Sequence, residues 1–206
     1  MKLLFFCAAI IRTIYRWKVS KEGFMLKSSE NPPILHPEDA FEDKLAGRWW
    51  VAHTKSRNEK ALAWSLYHWQ TPYFLPLSEK VTRRKQRTYK SLLPLFTGYL
   101  FFFGELEQRH QALTTNRIAN VIEVVDQSNL VRELTSIYRA LKSGLPIDPH
   151  PYLKAGNRCR VIAGPLMGYE GIVEQKKNLT RILLQVDILG QSAAVEIDTD
   201  MLEPID

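Results

Sequence analysis

The sequence predicts an α+β N-terminal domain, an antiparallel sheet with flanking helices, joined by a linker to a small all-β barrel. Three observations predict this class. Residues 155–206 alternate apolar and polar side chains between glycine-marked turns, residues 48–144 mix strand and helix patterns, and prolines concentrate in residues 145–154. A period of two is typical of strands with one buried face, whereas a period near 3.6 indicates an amphipathic helix.

The predicted boundaries divide the 206 residues into four segments. They are an N-terminal extension (1–47), the α+β domain (48–144), a proline-rich linker (145–154) and the barrel (155–206). A chain of this length can bury one mid-sized core and one small core, which fits two domains.

The barrel prediction rests on the spacing of apolar residues and glycines. Ile182, Leu184, Val186 and Ile188 fall at every second position. The loop GPLMGYEG, residues 164–171, could be mistaken for a phosphate cradle, but it has no following Lys-Ser/Thr pair and leads into a strand. The loop is therefore predicted to be a structural turn. Strands this short and this closely spaced usually close into a barrel.

The α+β domain is predicted from four strand-like runs and three helical runs. Ser56 and Glu59 form a plausible capping box for the first helix, and Ser128 and Gly144 are predicted to begin and end the last one. The predicted strands are Arg48–Lys55, Tyr73–Leu77, Leu95–Phe103 and Asn120–Asp126, and the predicted helices are Ser56–Gln70, Glu105–Leu113 and Ser128–Gly144.

Both domains resemble parts of one family. The barrel resembles the SH3-like KOW module, and the larger domain resembles the N-terminal domain of the NusG family of transcription elongation and antitermination factors. The LFTGYLF run is similar to that of specialised, RfaH-like members, with Thr97 where proline is usual. The KOW resemblance is carried by Gly156, Val161, Gly164, Pro165, Gly168, Tyr169, Gly171, Val173, Leu189, Gly190 and Val195, and the N-terminal one by Trp49, Trp50, Val51, Glu59, Lys60, Leu95, Phe96, Gly98, Tyr99, Leu100 and Phe101.

The resemblance implies that the N-terminal domain docks an apolar surface onto the RNA polymerase clamp. Phe96 and Tyr99 would be the anchors, with Leu95 and Gly98 beside them, and Thr114 and Thr115 would lie in a polar loop that touches a second part of the polymerase. Aromatic side chains are enriched in binding hot spots, which is consistent with this role. The alternative is that these aromatics fill the domain's own core.

A basic run separates two of the predicted strands. It comprises Lys80, Arg83, Arg84, Lys85, Arg87 and Lys90, six cations in eleven residues. Such a run is either a solvated hairpin or a surface that neutralises phosphates. The resemblance implies that it lies near upstream or non-template DNA.

The first residues raise a question about the start of translation. A nine-residue apolar run, Leu3–Ile11, is followed by basic residues instead of a signal-peptidase site. Codons for Lys-Glu-Gly before Met25 can spell a ribosome-binding sequence, so we expect translation to begin at Met25. The alternatives are an extra helix or a membrane-surface anchor. Without residues 1–24 the net charge falls from +6 to +2, so only local clusters argue for nucleic-acid binding.

No catalytic motif is visible in the sequence. It contains no nucleophile elbow, HExxH or paired-carboxylate motif, and Cys7 and Cys159 form no CxxC pair. We therefore expect a monomeric, cytoplasmic protein that is not an enzyme, needs no metal or cofactor, and does not enter membranes.

The resemblance predicts a transcription elongation or antitermination factor, acting on particular operons. Its KOW domain would bind a second partner, which is the ribosomal protein NusE, the termination factor Rho, or RNA. Two alternatives remain open. One is a KOW-type structural RNA-binding protein of the ribosome or its assembly, and the other is a membrane-associated adaptor that depends on residues 1–24.

Overall fold

The computed structural model describes residues 31–41, 47–84, 87–151, 156–176 and 179–205. An N-terminal sheet with helices is followed by an all-strand C-terminal region, which confirms the predicted fold class. The proposed start at Met25, Lys85 of the basic run and residues 152–155 of the predicted linker lie outside the described residues.

The first domain contains both strands and helices, and strands dominate the second. The N-terminal elements are β1 (Leu35–His36), β2 (Arg48–Thr54), α1 (Glu59–His68), β3 (Tyr73–Phe74), β4 (Leu77–Arg84), β5 (Arg87–Pro94), β6 (Tyr99–Gly104), α2 (Leu106–Thr114), β7 (Ile118–Glu123) and α3 (Gln127–Lys142). The C-terminal strands are β8 (Ile147–Pro151), β9 (Asn157–Val161), β10 (Glu170–Lys176), β11 (Leu179–Val186), β12 (Gln191–Glu196) and β13 (Leu202–Pro204).

The N-terminal sheet is antiparallel, has the order β1-β3-β6-β2-β7, and is covered on both faces. Because side chains alternate along a strand, neighbouring residues of β2 and β6 enter different cores. On one face, Trp50 and Phe102 pack with residues of α1 such as Leu66. On the other face, Val51 and Phe101 belong to a cluster that includes residues of α3.

Two helices begin at residues other than those predicted. Asn58, not Ser56, precedes the first residue of α1, and its side-chain amide donates to the Ser56 carbonyl at 3.0 Å. Asp126, not Ser128, caps α3, since its Oδ1 accepts the Asn129 N–H at 2.9 Å. Strand β7 ends at Glu123 and helix α3 begins at Gln127, so Asp126 is the last residue before the helix. Its carboxylate reaches an amide of the first helical turn, which has no intrahelical partner.

Strands β4 and β5 form a separate two-stranded hairpin. Its register runs from Leu77 opposite Pro94 to Arg84 opposite Arg87. Only the base of the hairpin enters a core, where Leu77 is buried and Leu92 is partly buried. The basic run therefore projects from the domain as an antiparallel ribbon.

The C-terminal strands form a six-stranded antiparallel sheet with the order β13-β9-β10-β11-β12-β8. Among the described residues, the pairings leave β13 and β8 as edges, and we therefore describe this region as a sheet without closure. Strand β8 comes from the segment predicted to be a linker, and it pairs with β12 from Ile147 to Pro151. Proline has no N–H to donate and is tolerated at a sheet edge, which explains Pro149 and Pro151 here.

Helix α3 contacts both sheets. Tyr138 packs against Phe74 of the N-terminal sheet with ring centroids 6.1 Å apart, and α3 also contacts strand β11. Buried apolar residues of α3 and of the two sheets form one cluster. It includes Leu134 of α3, Phe101 of β6 and Leu184 of β11. The two regions therefore share apolar packing through this helix.

Candidate functional site

A tight turn connects the basic hairpin to strand β6. The Tyr99 N–H donates to the Phe96 carbonyl at 3.1 Å, and Gly98 has φ +84°. A turn with positive φ at its third residue is a type II turn, which favours glycine there and proline at the second position. Thr97 occupies that second position. The segment Leu95–Gly98, predicted as the start of a strand, is thus a turn that precedes the strand.

Two hydrogen bonds hold this turn against the domain. The Gly98 N–H donates to Glu59 Oε1 at 2.8 Å, and the Gly98 carbonyl accepts the Thr54 N–H at 2.8 Å. Glu59 opens helix α1 and is only 5% exposed, so the hydrogen bond from Gly98 satisfies a buried carboxylate. The turn is therefore fixed to both α1 and β2.

The structure corrects the expected exposure of the predicted anchor Phe96 and of Leu95 beside it. Leu95 and Phe96 are each 1% exposed and belong to the cluster that includes residues of α3 and the C-terminal sheet. In this arrangement no partner can touch them, because apolar side chains of the same chain cover them. Leu95 and Phe96 therefore fill a core, as the alternative interpretation expected. Of the two predicted anchors, only Tyr99 is partly exposed.

Tyr99 forms an aromatic pair with His53 of the neighbouring strand. The rings stack with centroids 5.0 Å apart and planes inclined by 23°. His53 is the one exposed side chain in strand β2. The sequence analysis did not single out His53, although a histidine directly after the apolar run Trp49–Ala52 was a usable signal.

Thr114 and Thr115 end helix α2 and bond to its own backbone. Their hydroxyls donate to the Gln111 and Ala112 carbonyls, each at 2.7 Å. Thr114 is exposed and Thr115 is partly buried. The hydroxyls thus bond to carbonyls in the last turn of the helix, and the Ala112 carbonyl also accepts the Thr115 N–H at 3.3 Å.

The end of strand β2 lies between the aromatic pair and residues 114–117, which we call the threonine loop. The Lys55 N–H donates to the Arg117 carbonyl at 2.8 Å, and Lys55 Nζ donates to Asn116 Oδ1 at 2.6 Å. Lys55 lies two residues after His53, which stacks on Tyr99. We call His53, Lys55, Tyr99, Asn116 and Arg117 the β2-end surface. Of these five residues only Tyr99 was among the predicted polymerase-binding residues. His53, Lys55, Asn116 and Arg117 were not.

The basic hairpin keeps its cations on the surface. Lys80, Arg83, Arg87 and Lys90 are exposed, and Arg84 lies opposite Arg87 in the strand register. Lys90 Nζ is 2.9 Å from a carboxylate oxygen of Glu79. At the base, Lys60 Nζ donates to the Leu92 carbonyl at 2.6 Å, and burial lowers the pKa of Lys60.

The predicted KOW turn is a tight loop between β9 and β10. Gly164 and Gly168 have φ +83° and +85°, and the Met167 N–H donates to the Gly164 carbonyl at 3.1 Å. Pro165 is exposed between them. Gly171 is required for a different reason, because a Cβ there would lie 2.9 Å from the Leu183 carbonyl oxygen. These residues shape the backbone of the loop.

Tyr169 ties this loop to strand β11. Its hydroxyl donates to the Leu183 carbonyl at 3.1 Å and accepts the Gln185 N–H at 3.2 Å. Burial raises the pKa of Tyr169 to about 12. The Tyr169 hydroxyl is therefore neutral, and its two hydrogen bonds hold the loop against strand β11.

A cleft of about 690 Å³ lies between helix α3 and the C-terminal sheet. Glu133 lines it and is 9% exposed. Its Oε1 accepts the Asn129 side-chain amide at 2.9 Å, and burial, reinforced by the nearby Asp187 carboxylate, raises the pKa of Glu133 to about 7. A carboxyl group that titrates near neutral pH thus lies where the two regions meet.

Two kinds of site are absent from the described ranges. No group of three or more His, Cys, Asp or Glu side chains among them is placed to hold a metal ion. No helix within the same ranges has the length and apolar character needed to cross a bilayer.

Comparison with known proteins places the N-terminal domain in a family. Residues 47–144 match the family model described as "Transcription termination factor nusG". A curated relative, the "Transcription termination/antitermination protein NusG" of Pseudomonas aeruginosa, is 28% identical over 177 residues. The match covers 78% of this chain and 100% of the relative.

A solved structure, "Domain interaction in Thermotoga maritima NusG", has a TM-score of 0.47 and 16% identity, and covers 78% of this chain and 98% of that one. The domain match at residues 47–144 and the alignment along the whole length of the curated relative make this chain similar to NusG-family transcription termination/antitermination factors.

Proposed function

We propose that this chain is an operon-specific elongation and antitermination factor. Its N-terminal domain binds the RNA polymerase clamp, and its C-terminal sheet binds a second partner, which is the ribosomal protein NusE, Rho or RNA. It works in the cytoplasm as a monomer and catalyses no reaction. The basic hairpin contacts upstream or non-template DNA.

The observation that carries the polymerase proposal is the β2-end surface. It combines an aromatic pair, Tyr99 on His53, with the cations Lys55 and Arg117 on the domain that matches the family model. Aromatic and arginine side chains are enriched at binding hot spots, and hydrogen bonds already fix the supporting turn. Such a preorganised surface loses little side-chain entropy on binding.

Capture of core RNA polymerase by the tagged chain tests this proposal. Tyr99→Ala and His53→Ala should each weaken capture, whereas Trp69→Ala should not. Trp69 is a matched control because it is also aromatic, is 38% exposed and lies outside the β2-end surface. Full capture by the double variant His53→Ala, Tyr99→Ala, with an unchanged circular dichroism spectrum, would refute this docking surface.

Operon specificity is supported by the LFTGYLF run, which is similar to that of the specialised, RfaH-like members, although Thr97 departs from the proline that is usual in the family. Its test is the distribution of the chain on the genome by chromatin immunoprecipitation. A few occupied operons support the proposal, and occupancy that follows polymerase on every transcribed gene contradicts it. Co-sedimentation with ribosomal subunits independent of transcription would instead favour a structural RNA-binding protein.

A further inference from the structure

The two faces of the hairpin β4–β5 carry different chemistry. Residues that lie opposite each other across two strands share a face, as do residues two apart along one strand. Val81 lies opposite Lys90, and Thr82 lies opposite Tyr89. One face therefore holds Glu79, Val81, Arg83, Thr88 and Lys90, and the other holds Lys80, Thr82, Arg87, Tyr89 and Ser91.

The cations of the two faces differ in their acidic neighbours. On the first face Lys90 forms an ion pair with Glu79 at 2.9 Å. The strand residues of the second face include no Asp or Glu, and Lys80 and Arg87 are exposed there. The second face, which we call the Tyr89 face, therefore presents the stronger positive potential to a polyanion.

Tyr89 lies between these cations and makes the face unusual. It is 41% exposed, and among the described strands β5 pairs only with β4. An exposed aromatic ring on a basic ribbon is a chemical combination that suits unpaired bases, because every base has a π-face that can stack on it. In a duplex those π-faces are occupied by neighbouring base pairs.

We propose that the Tyr89 face binds single-stranded nucleic acid. One base stacks on the Tyr89 ring, while Lys80 and Arg87 contact the adjacent phosphates. Arg87 lies two residues from Tyr89, roughly 7 Å along the strand, so both can reach neighbouring parts of one nucleotide strand. This inference deepens the proposed DNA contact of the hairpin and rests on it, because a transcribing polymerase holds unpaired strands.

Fluorescence anisotropy with the full chain tests the proposal. The probes are fluorescein-labelled oligo(dT) and oligo(rU) of roughly 15 nucleotides and a DNA duplex of equal length, a size within the range of known single-strand modules. The single strands should bind more tightly than the duplex, and the ratio of the two single strands distinguishes DNA from RNA. Equal or tighter binding of the duplex overturns the proposal, as does the absence of binding to every probe.

Substitutions at Tyr89 separate stacking from charge. Tyr89→Ile keeps strand propensity but removes the ring, and should weaken single-strand binding by about 5- to 150-fold. Tyr89→Phe keeps the ring and should bind as the unmodified chain does. If Tyr89→Ile binds as tightly as the unmodified chain while its thermal denaturation is unchanged, the stacking role is wrong.

A matched pair of charge variants tests the choice of face. Lys80→Gln should lower the slope of log affinity against log salt concentration by about 0.7, the value for one single-strand phosphate contact. Lys90→Gln, on the opposite face and paired with Glu79 in the parent, should change the slope less. The reverse order would assign the nucleic acid to the other face and refute the proposal.

Capture of core polymerase by the same variants separates this inference from the proposed function. Tyr89→Ile should capture polymerase as the unmodified chain does, since Tyr89 lies outside the β2-end surface. If the unmodified chain captures polymerase but binds the single strands no more tightly than the duplex, the single-strand site alone is refuted. Failure of the unmodified chain to capture polymerase, with intact oligonucleotide binding, would refute the polymerase proposal alone.

Discussion

Glu133 of helix α3 accepts the backbone N–H of Asp187 at 3.4 Å, across the contact between α3 and the C-terminal sheet. The Asp187 carboxylate repels a charge on Glu133, and Arg132 and the Asn129 amide favour one, while the Tyr169 hydroxyl lies in the same cleft. Burial outweighs the favourable contacts. The protonated form of Glu133 is therefore the form that the contact stabilises.

The contact between α3 and the C-terminal sheet should weaken as pH rises. The pKa of Glu133 is raised from 4.5 to about 7, so its stabilising contribution is full below pH 4.5 and is lost as pH rises through about 7. Thermal denaturation from pH 5 to 8 should show this loss as a falling Tm, by about 2–4 °C for each kcal/mol of unfolding free energy that is lost. Glu133→Gln, which mimics the protonated group, should flatten the dependence of Tm on pH. The same pH dependence in this variant as in the unmodified chain would contradict this account.

Phe96→Ala should destabilise the fold and not merely reduce binding. Phe96 is 1% exposed, and truncation of a buried phenylalanine costs about 3–5 kcal/mol. Urea denaturation gives the free energy of unfolding directly. Leu93→Ala is the control, because Leu93 is 41% exposed and should change stability by less than about 0.5 kcal/mol. A similar small change in Phe96→Ala would mean that Phe96 is accessible in solution.

Thr97→Pro should stabilise the chain by about 0.4–1 kcal/mol, because proline restricts the unfolded chain at the second position of a type II turn. Gly98→Ala should act in the opposite direction. Its φ of +84° is unfavourable for a residue with a Cβ, at a cost of about 1–2 kcal/mol. Chemical denaturation of both variants checks the turn assignment, and destabilisation by Thr97→Pro would show that another turn geometry holds in solution.

Tyr169→Phe should destabilise the C-terminal sheet by about 1–3 kcal/mol, since two hydrogen bonds to β11 are lost and each contributes roughly 0.5–1.5 kcal/mol. Hydrogen exchange at the amides of β11 locates the effect, and denaturation measures its size. Tyr89→Phe removes an exposed hydroxyl and should leave stability unchanged within about 0.5 kcal/mol. Equal stability of the two variants would mean that the hydrogen bonds of the Tyr169 hydroxyl do not stabilise the C-terminal sheet.

Several features could be predicted from the sequence because they depend on local pattern. Alternation along Thr180–Val186 placed strand β11, since Ile182, Leu184 and Val186 all enter the core. The turn at Gly164 and Gly168 followed from glycine's access to positive φ. The prolines of β8 misled the prediction, because an edge strand and an extended linker have the same local signature.

Other features depend on what covers a surface, which periodicity does not encode. The apolar stripe of α3, with Leu134 and Ile137, indicated one buried side, but Glu133 and Ser136 are also buried where the C-terminal sheet meets the helix. Likewise Leu95 and Phe96 had the composition of a docking surface, and the chain's own side chains cover them.

The sequence by itself determined two modules, the resemblance of the first one to a known family, the basic run and the glycine turns, because repeating side-chain patterns and backbone requirements are local. Only the tertiary structure decided that Tyr99 pairs with His53, that Lys55 joins them to the threonine loop, and that Glu133 is buried beside Asp187. These contacts join residues tens of positions apart, and a residue's burial, charge state and accessibility follow from its spatial neighbours.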